Sequence, residues 1–257
     1  MRFLLYNIAY GTGGPRSYAH RALTLHKYLR APWHHMQRVS EFIVDHRPDV
    51  LGVVEVDSGS FRAGGRNQVA ELARDLSHNF TYSSKYRKGS VCRLLPILRH
   101  QGNGLFARER LDAPEHHFLP VGFKRLVLEA QVQGVRFYLV HLALKDRVRE
   151  QQIRLVGDLV RRNLGPCILA GDFNTFGGRD ELDRLIETTG LCNANADRVP
   201  TYPSWEPRRE LDFILCSPEI AVRQFRVHDE VRLSDHLPVA LDFEMNGHRR
   251  AAREATA

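Results

Sequence analysis

A mixed-sheet α/β architecture is predicted, because short β-type runs outnumber helical segments and tight hairpins coexist with strands separated by helices. The 257 residues are 43% hydrophobic and 26% charged, an ordinary globular balance with enough length to bury one substantial core. The expected organisation is one domain over 1–245 and a disordered basic tail over 246–257.

Arg2 to Ile8 reads as a strand ending in Asn7, and Tyr10 to Trp33, rich in Gly, His and aromatics, reads as a long loop. Met36, Val39, Ser40 and Ile43 share one helical face before Pro48 closes the turn. Val50 to Val56 is unbroken and apolar, as a strand covered on both faces requires. Val69, Leu72, Ala73 and Leu76 follow the i, i+3, i+4, i+7 pattern of a helix. Ser77 to Gly102 shows no stable period and reads as a long loop carrying Tyr82, Lys85, Tyr86, Arg87, Lys88, Arg93 and Arg99. Two alternating runs between Arg125 and Leu144 flank Gln133-Gly134, which predicts a hairpin. Asp146 is positioned to cap a helix reaching Asn163, and Pro166 opens a strand over Cys167 to Gly171. Glu181 to Thr189 reads as a helix stopped by Gly190, and strands are expected near Leu211–Cys216, Ala221–Val227 and Pro238–Phe243.

Bulk charge and cysteine usage exclude several classes. Cys92, Cys167, Cys192 and Cys216 have no zinc-ligand spacing and read as small buried hydrophobes in a reducing compartment, not as a disulfide framework. The apolar stretch near the N-terminus is too short for a signal segment and no run reaches membrane-spanning length, so a cytoplasmic, monomeric protein is expected. A net charge of +7 favours an anionic partner, although solvated faces also collect such charge.

One pattern carries chemistry: apolar strands stop at polar residues. Leu4-Leu5-Tyr6 stops at Asn7, Leu51 to Val54 at Glu55, Tyr138-Leu139-Val140 at His141, and Ile168 to Gly171 at Asp172, with Asn174 two residues on. Such groups are costly to bury unless satisfied, and one hard cation bound by oxygens would satisfy several together. LSDHLPVAL sets Asp235 beside His236, a group able to take or hold a proton near neutral pH, and Asp212 in LDFIL is available to orient it.

Asn7, Glu55, His141, GDFN at 171–174, LDFI at 211–214 and SDH at 234–236, in that order, closely resemble the endonuclease/exonuclease/phosphatase superfamily. That superfamily includes pancreatic-type deoxyribonuclease, abasic-site endonucleases, sphingomyelinases and inositol polyphosphate 5-phosphatases. The resemblance spans residues 3 to 243 and implies a four-layer α/β/β/α sandwich of two packed mixed β-sheets flanked by helices. It implies Glu55 as principal Mg²⁺ or Mn²⁺ ligand, with Asn7 and Asp235 in the metal group. Asp172 would position the attacking water, and Asn174 and His141 would hold the phosphoryl group. His236, polarised by Asp212, would act as base or as phosphate-contacting electrophile. Val54 stands where many nucleases of the superfamily have Gln, and TYPSW at 201–205 resembles small bacterial members without identifying a substrate.

The implied activity is divalent-metal-dependent phosphate-ester hydrolysis by in-line attack of activated water. A non-nuclease phosphodiesterase or phosphatase is the adopted reading, a DNA or RNA nuclease the alternative, and an inactive binding protein on the same scaffold the reading of another class. Lys124, Arg125 and Tyr86 are candidate substrate contacts, as are Arg147 and Arg149; surface solubility explains such residues equally well. The partner would be a phosphorylated small molecule, a lipid headgroup or nucleic acid.

Overall fold

The computed structural model describes residues 1–23, 29–86, 89–90, 94–178 and 180–246. Cys92, Arg87, Lys88, Arg93 and the tail from 247 onward lie outside these residues. In chain order the first-sheet strands are β1 (Arg2–Asn7), β2 (Val50–Asp57), β3 (Asn79–Ser84), β4 (Gln101–Ala107), β11 (Ile220–Val227) and β12 (Val239–Met245). The second sheet contains β5 (Asp112–Phe118), β6 (Leu126–Val132), β7 (Val135–His141), β8 (Cys167–Asp172), β9 (Cys192–Asn193) and β10 (Asp212–Cys216). Their spatial orders are β11-β12-β1-β2-β4-β3 and β5-β6-β7-β8-β10-β9. Both sheets are mixed, with β1–β2 and β7–β8 parallel and the other pairs antiparallel.

Strand periodicity of two sorts each apolar run onto two faces. Phe3 and Leu5 of β1 join Phe137 and Leu139 of β7 in the core between the sheets. The Phe3 and Phe137 rings lie 5.4 Å apart, and a Cβ on Gly52 would come 3.0 Å from Leu139 Cδ1. Leu4 and Tyr6 face the other way, against α2 (Trp33–His46) and α3 (Gln68–Leu76). Tyr138, Val140 and Leu169 pack likewise against α4 (Asp146–Arg161) and α5 (Asp180–Thr189). The result is the helix–sheet–sheet–helix sandwich expected, with each fully buried Leu or Phe contributing roughly 1.5–3 kcal/mol.

The helical faces follow the sequence pattern closely: the residues α2 buries are Met36, Val39, Ser40 and Ile43. Asn67 caps α3, its side chain accepting from the amides of Val69 and Ala70. Gln133 and Gly134, at φ 49° and 81°, make the tight turn between β6 and β7.

Three expectations are corrected, and one strand, β5, was not anticipated. The loop over Tyr10–Trp33 contains α1 (Tyr18–Leu23), and the loop over Ser77–Gly102 contains β3 and the start of β4. β3 lies at the sheet edge, where half-covered faces leave no apolar alternation to read. β5 is an exposed edge strand whose Pro114 sits within a register irregularity, a position that tolerates the missing N–H. Asp146 does not cap α4: Lys145 is the N-cap without a side-chain bond, and Asp146 pairs with Arg149 2.6 Å away. No helix among the described residues is long and apolar enough to cross a membrane.

Candidate active site

The parallel pairs bring strand ends together. In the second sheet His141 is in register with Asp172, which is in register with Asp212 on β10, forming one row across three strands. Gly171 makes this row possible: its φ is 149°, and a Cβ there would lie 1.9 Å from the Val140 carbonyl oxygen. In the first sheet Asn7 is in register with Val54, beside Glu55. Glu55 has φ 57° and lies where the β2–β4 register shifts between Val53 and Val56, a bulge that re-aims its side chain. The Glu55 amide donates to Asn103 Oδ1 on β4 at 3.3 Å, which supports the bulge.

Asp172 is the hub where the two sheets meet. Its Oδ2 accepts from Asn7 Nδ2 at 3.0 Å and lies 3.3 Å from His141 Nε2 and 3.8 Å from His236 Nε2. Its Oδ1 accepts from the Asn174 amide at 3.0 Å, a local turn that suits the left-handed φ of 53° at Asn174. Asn174 Nδ2 donates to the Leu142 carbonyl at 3.0 Å, so one of its side-chain N–H groups braces the turn after β7.

His236 stands in the loop before β12 and reaches the other sheet. Its Nδ1 lies 2.8 Å from Asp212 Oδ2, which also accepts from Thr201 Oγ1 at 2.7 Å. The Tyr202 ring packs 4.9 Å from the imidazole, so TYPSW forms a wall of the site. Asp235 is buried beside His236, and the Ser204 amide donates to its carbonyl at 2.8 Å.

The two imidazoles are driven in opposite directions. Burial pushes His141 well below its ordinary range, and the cations Lys124 and Lys85 push it further. Burial also opposes charge on His236, but Asp212, Asp172 and Asp235 overcome it and raise the pKa. The buried Asp172 carboxyl is raised by desolvation; His236 opposes this, while Asp212 and Glu55 add to it. One carboxyl group is thus flanked by an imidazole whose charge is disfavoured and another whose charge is favoured.

Lys124 of the β5–β6 connection hydrogen-bonds His141 Nε2 and lies 3.9 Å from Glu55 Oε1, while His141 Nδ1 is also 3.9 Å from Glu55. Lys85 Nζ donates to the Tyr10 hydroxyl at 2.8 Å and stands 5.4 Å from the Tyr86 ring. Arg125, one residue before β6, makes no side-chain hydrogen bond or ion pair among the described residues. Arg149 is corrected as a substrate contact. It is fully buried, bonding Glu181, Asp146 and the carbonyls of Ala143 and Leu144. Asn103, Tyr10 and Thr201 were not legible as site residues, because each acts through a partner distant in sequence.

The family model for the Endonuclease/Exonuclease/phosphatase family matches residues 4–236. The chain belongs to this family. No curated protein matches the sequence. Among solved structures, the fold is similar to a mannosyl-6-phosphatase of Bacteroides thetaiotaomicron, at 15% identity and TM-score 0.70 over 95% of this chain and 100% of that one. It is also similar to a 3′-5′ exonuclease of Neisseria meningitidis, at 17% identity and TM-score 0.68 over 95% and 100%. The human Nocturnin catalytic domain with bound sulfate has 21% identity and TM-score 0.65 over 95% and 93%. As a member of the endonuclease/exonuclease/phosphatase family with its acids, imidazoles and amides chemically intact, the chain is an enzyme of the phosphoesterase type.

The donor chemistry fits a metal ion. Asp172, Asp212 and His236 offer ligand atoms within 4.8 Å of one another, but Asp212 Oδ2 is already bonded to His236 and Thr201, so Asp172 and Glu55, which adds to the negative field on Asp172, are the carboxylates better suited to a cation. Crowded carboxylate oxygens of this kind suit a hard divalent cation, which would offset the desolvation, and the lesser repulsion from Asp212 and Glu55, that raise Asp172. The other acid–imidazole group, Glu115, His117 and Glu129, is a different case: Glu129 bonds both His117 and Arg136, so its charge is already paired.

Proposed function

We propose that residues 1–245 form a single divalent-metal-dependent phosphoesterase domain acting on small phosphorylated molecules, as a phosphatase or non-nuclease phosphodiesterase. The observation that carries this reading is the convergence of Asn7, His141 and His236 on one carboxylate oxygen of Asp172. Glu55, with Asn7 and Asp235, would hold Mg²⁺ or Mn²⁺, and the cation would supply charge to the phosphoryl oxygens and leaving group.

The chain's own residues do the remaining work. Asp172, desolvated and oriented by Asn7 and Asn174, is suited to align a water and draw on its proton. His236 donates Nδ1–H to Asp212, so Nε2 faces the cleft, where a charged ring would offset the extra negative charge of in-line attack. His141 and Lys124, bonded to each other, would hold the phosphoryl oxygens from the opposite side. The recess supports a small substrate: Asn7, His141, Asp172, Asn174, Asp235 and His236 are all buried, so a phosphoryl group must enter to meet them. Loss of Arg149 as a surface cation removes one support for a nucleic-acid groove.

The test is a panel of aryl phosphates, sugar phosphates, phospholipids, RNA and single-stranded, duplex and abasic DNA, each with Mg²⁺, Mn²⁺ and chelator. Metal-dependent turnover of the small esters is expected, with slower cleavage of polynucleotides. Faster cleavage of a polynucleotide would make the chain a nuclease, and no turnover with any metal would make it a binding protein.

A further inference from the structure

A cavity of about 540 Å³ is lined by Gly14, Pro15, Arg16, His20, His35, Arg38, Trp205, Arg232 and Leu233. Among the described residues no carboxylate lines it. Arg16, Arg38 and Arg232 are exposed and make no ion pair among the described residues. Elsewhere on this surface arginines do find acids: Arg74 with Glu71, Arg223 with Glu244, Arg226 with Glu230. Three unpaired guanidinium groups around one concavity form a local field that attracts anions, and arginine forks match phosphate geometry.

The cavity is bordered by chain segments that lead to the catalytic residues. One wall is the segment after Asn7 and the other is the segment before Asp235 and His236. The walls are tightly apposed, since a Cβ on Gly14 would lie 2.0 Å from the Arg232 carbonyl oxygen. Trp205 of the lining has its ring 6.4 Å from Tyr202, which in turn packs on His236. The Tyr18 ring meets Trp205 edge-on at 5.2 Å, so the aromatic wall is braced from behind.

We propose that this cavity is a second phosphate subsite, and that the substrate is a small molecule carrying another phosphoryl group beside the one hydrolysed. The proposal rests on the phosphoesterase reading above. It narrows that reading to bis-phosphorylated small molecules, whose second phosphate Arg16, Arg38 and Arg232 would hold while the first enters the recess of Asp172.

The experiment compares adenosine 3′,5′-bisphosphate with adenosine 5′-monophosphate as competitors of 4-nitrophenyl phosphate turnover, and by calorimetric titration. The readout is the ratio of the two affinities within each protein. The expected ratio in the unaltered chain is about tenfold or more in favour of the bisphosphate. It should collapse towards one in the Arg16→Ala/Arg38→Ala/Arg232→Ala variant and stay intermediate in Arg232→Lys. Equal affinities in the unaltered chain, or a preference that survives the triple substitution, would overturn the subsite. A single-stranded oligonucleotide that outcompetes both nucleotides, and loses its advantage in the triple variant, would overturn the small-molecule assignment. Absence of turnover would count against the phosphoesterase reading alone, because calorimetry still reads the cavity.

Discussion

The Val140 carbonyl oxygen occupies the space a side chain at Gly171 would need, 1.9 Å from the position of its Cβ. The next rung of the same pairing sets His141 against Asp172. Gly171→Ala should therefore destabilise the fold by on the order of 3 kcal/mol, through backbone strain and a forced opening between β7 and β8. Urea unfolding measures this, and an unchanged midpoint would contradict it.

Removing the charged ring should affect chemistry more than binding. His236→Ala is expected to lower kcat by about 10²-fold or more with a smaller change in KM. Asp212→Asn should follow in the same direction, because Asp212 orients Nδ1. Near-normal kcat in folded protein would remove His236 from the chemical step.

Glu55→Gln keeps the shape of the side chain and removes its charge. The expected outcome is a loss of activity that excess Mg²⁺ or Mn²⁺ partly restores, read as a rightward shift of the metal titration. Superimposable titrations would show that Glu55 is not a ligand.

Arg149→Met leaves the Ala143 and Leu144 carbonyls without that donor and Glu181 with the Gly177 amide but no cation. Breaking such a buried arrangement should cost about 3 kcal/mol, towards the lower limit for buried pairs because Glu181 keeps some solvent access. Chemical denaturation tests this; stability equal to that of the unaltered chain would make the ion pairs incidental.

The hydrogen bond from Arg2 holds Asp242 below its ordinary 3.8. A depressed carboxyl contributes stability above its unfolded pKa and loses it as pH falls through the folded value. Asp242→Asn should thus flatten the acid limb of the stability curve, and cost about 0.5 kcal/mol near neutrality because the pair is partly exposed. Unfolding free energies measured down the acid range decide it.

Much of the fold was legible because two-sided burial writes itself into composition. The β1, β2, β7 and β8 runs are apolar at nearly every position, and the α2 and α3 faces repeat at helical spacing. β3 and β5 were not legible, since one borrows its order from β4 and the other exposes most of its residues. Within the site, strand-end position marked Asn7, Glu55, His141 and Asp172. It could not mark Asn103 or Tyr10, whose contributions exist only once β4 pairs with β2 beside Glu55 and Lys85 reaches the Tyr10 hydroxyl. Arg149 was misread for the complementary reason: its charge looks like surface, and only the packing of α4 against α5 reveals that it is interior.

Asn7 and Glu55 ride on one sheet, while His141, Asp172 and Asp212 ride on the other, and behind the polar bridges Asn7–Asp172 and His236–Asp212 apolar contacts such as Phe3 on Phe137 and Leu139 over Gly52 set the spacing between them. The alignment of the reactive groups is thus calibrated in part by dispersion forces deep in the molecule, many residues from any phosphate. Trimming a single methylene from that seam would detune the catalyst before it loosened the protein.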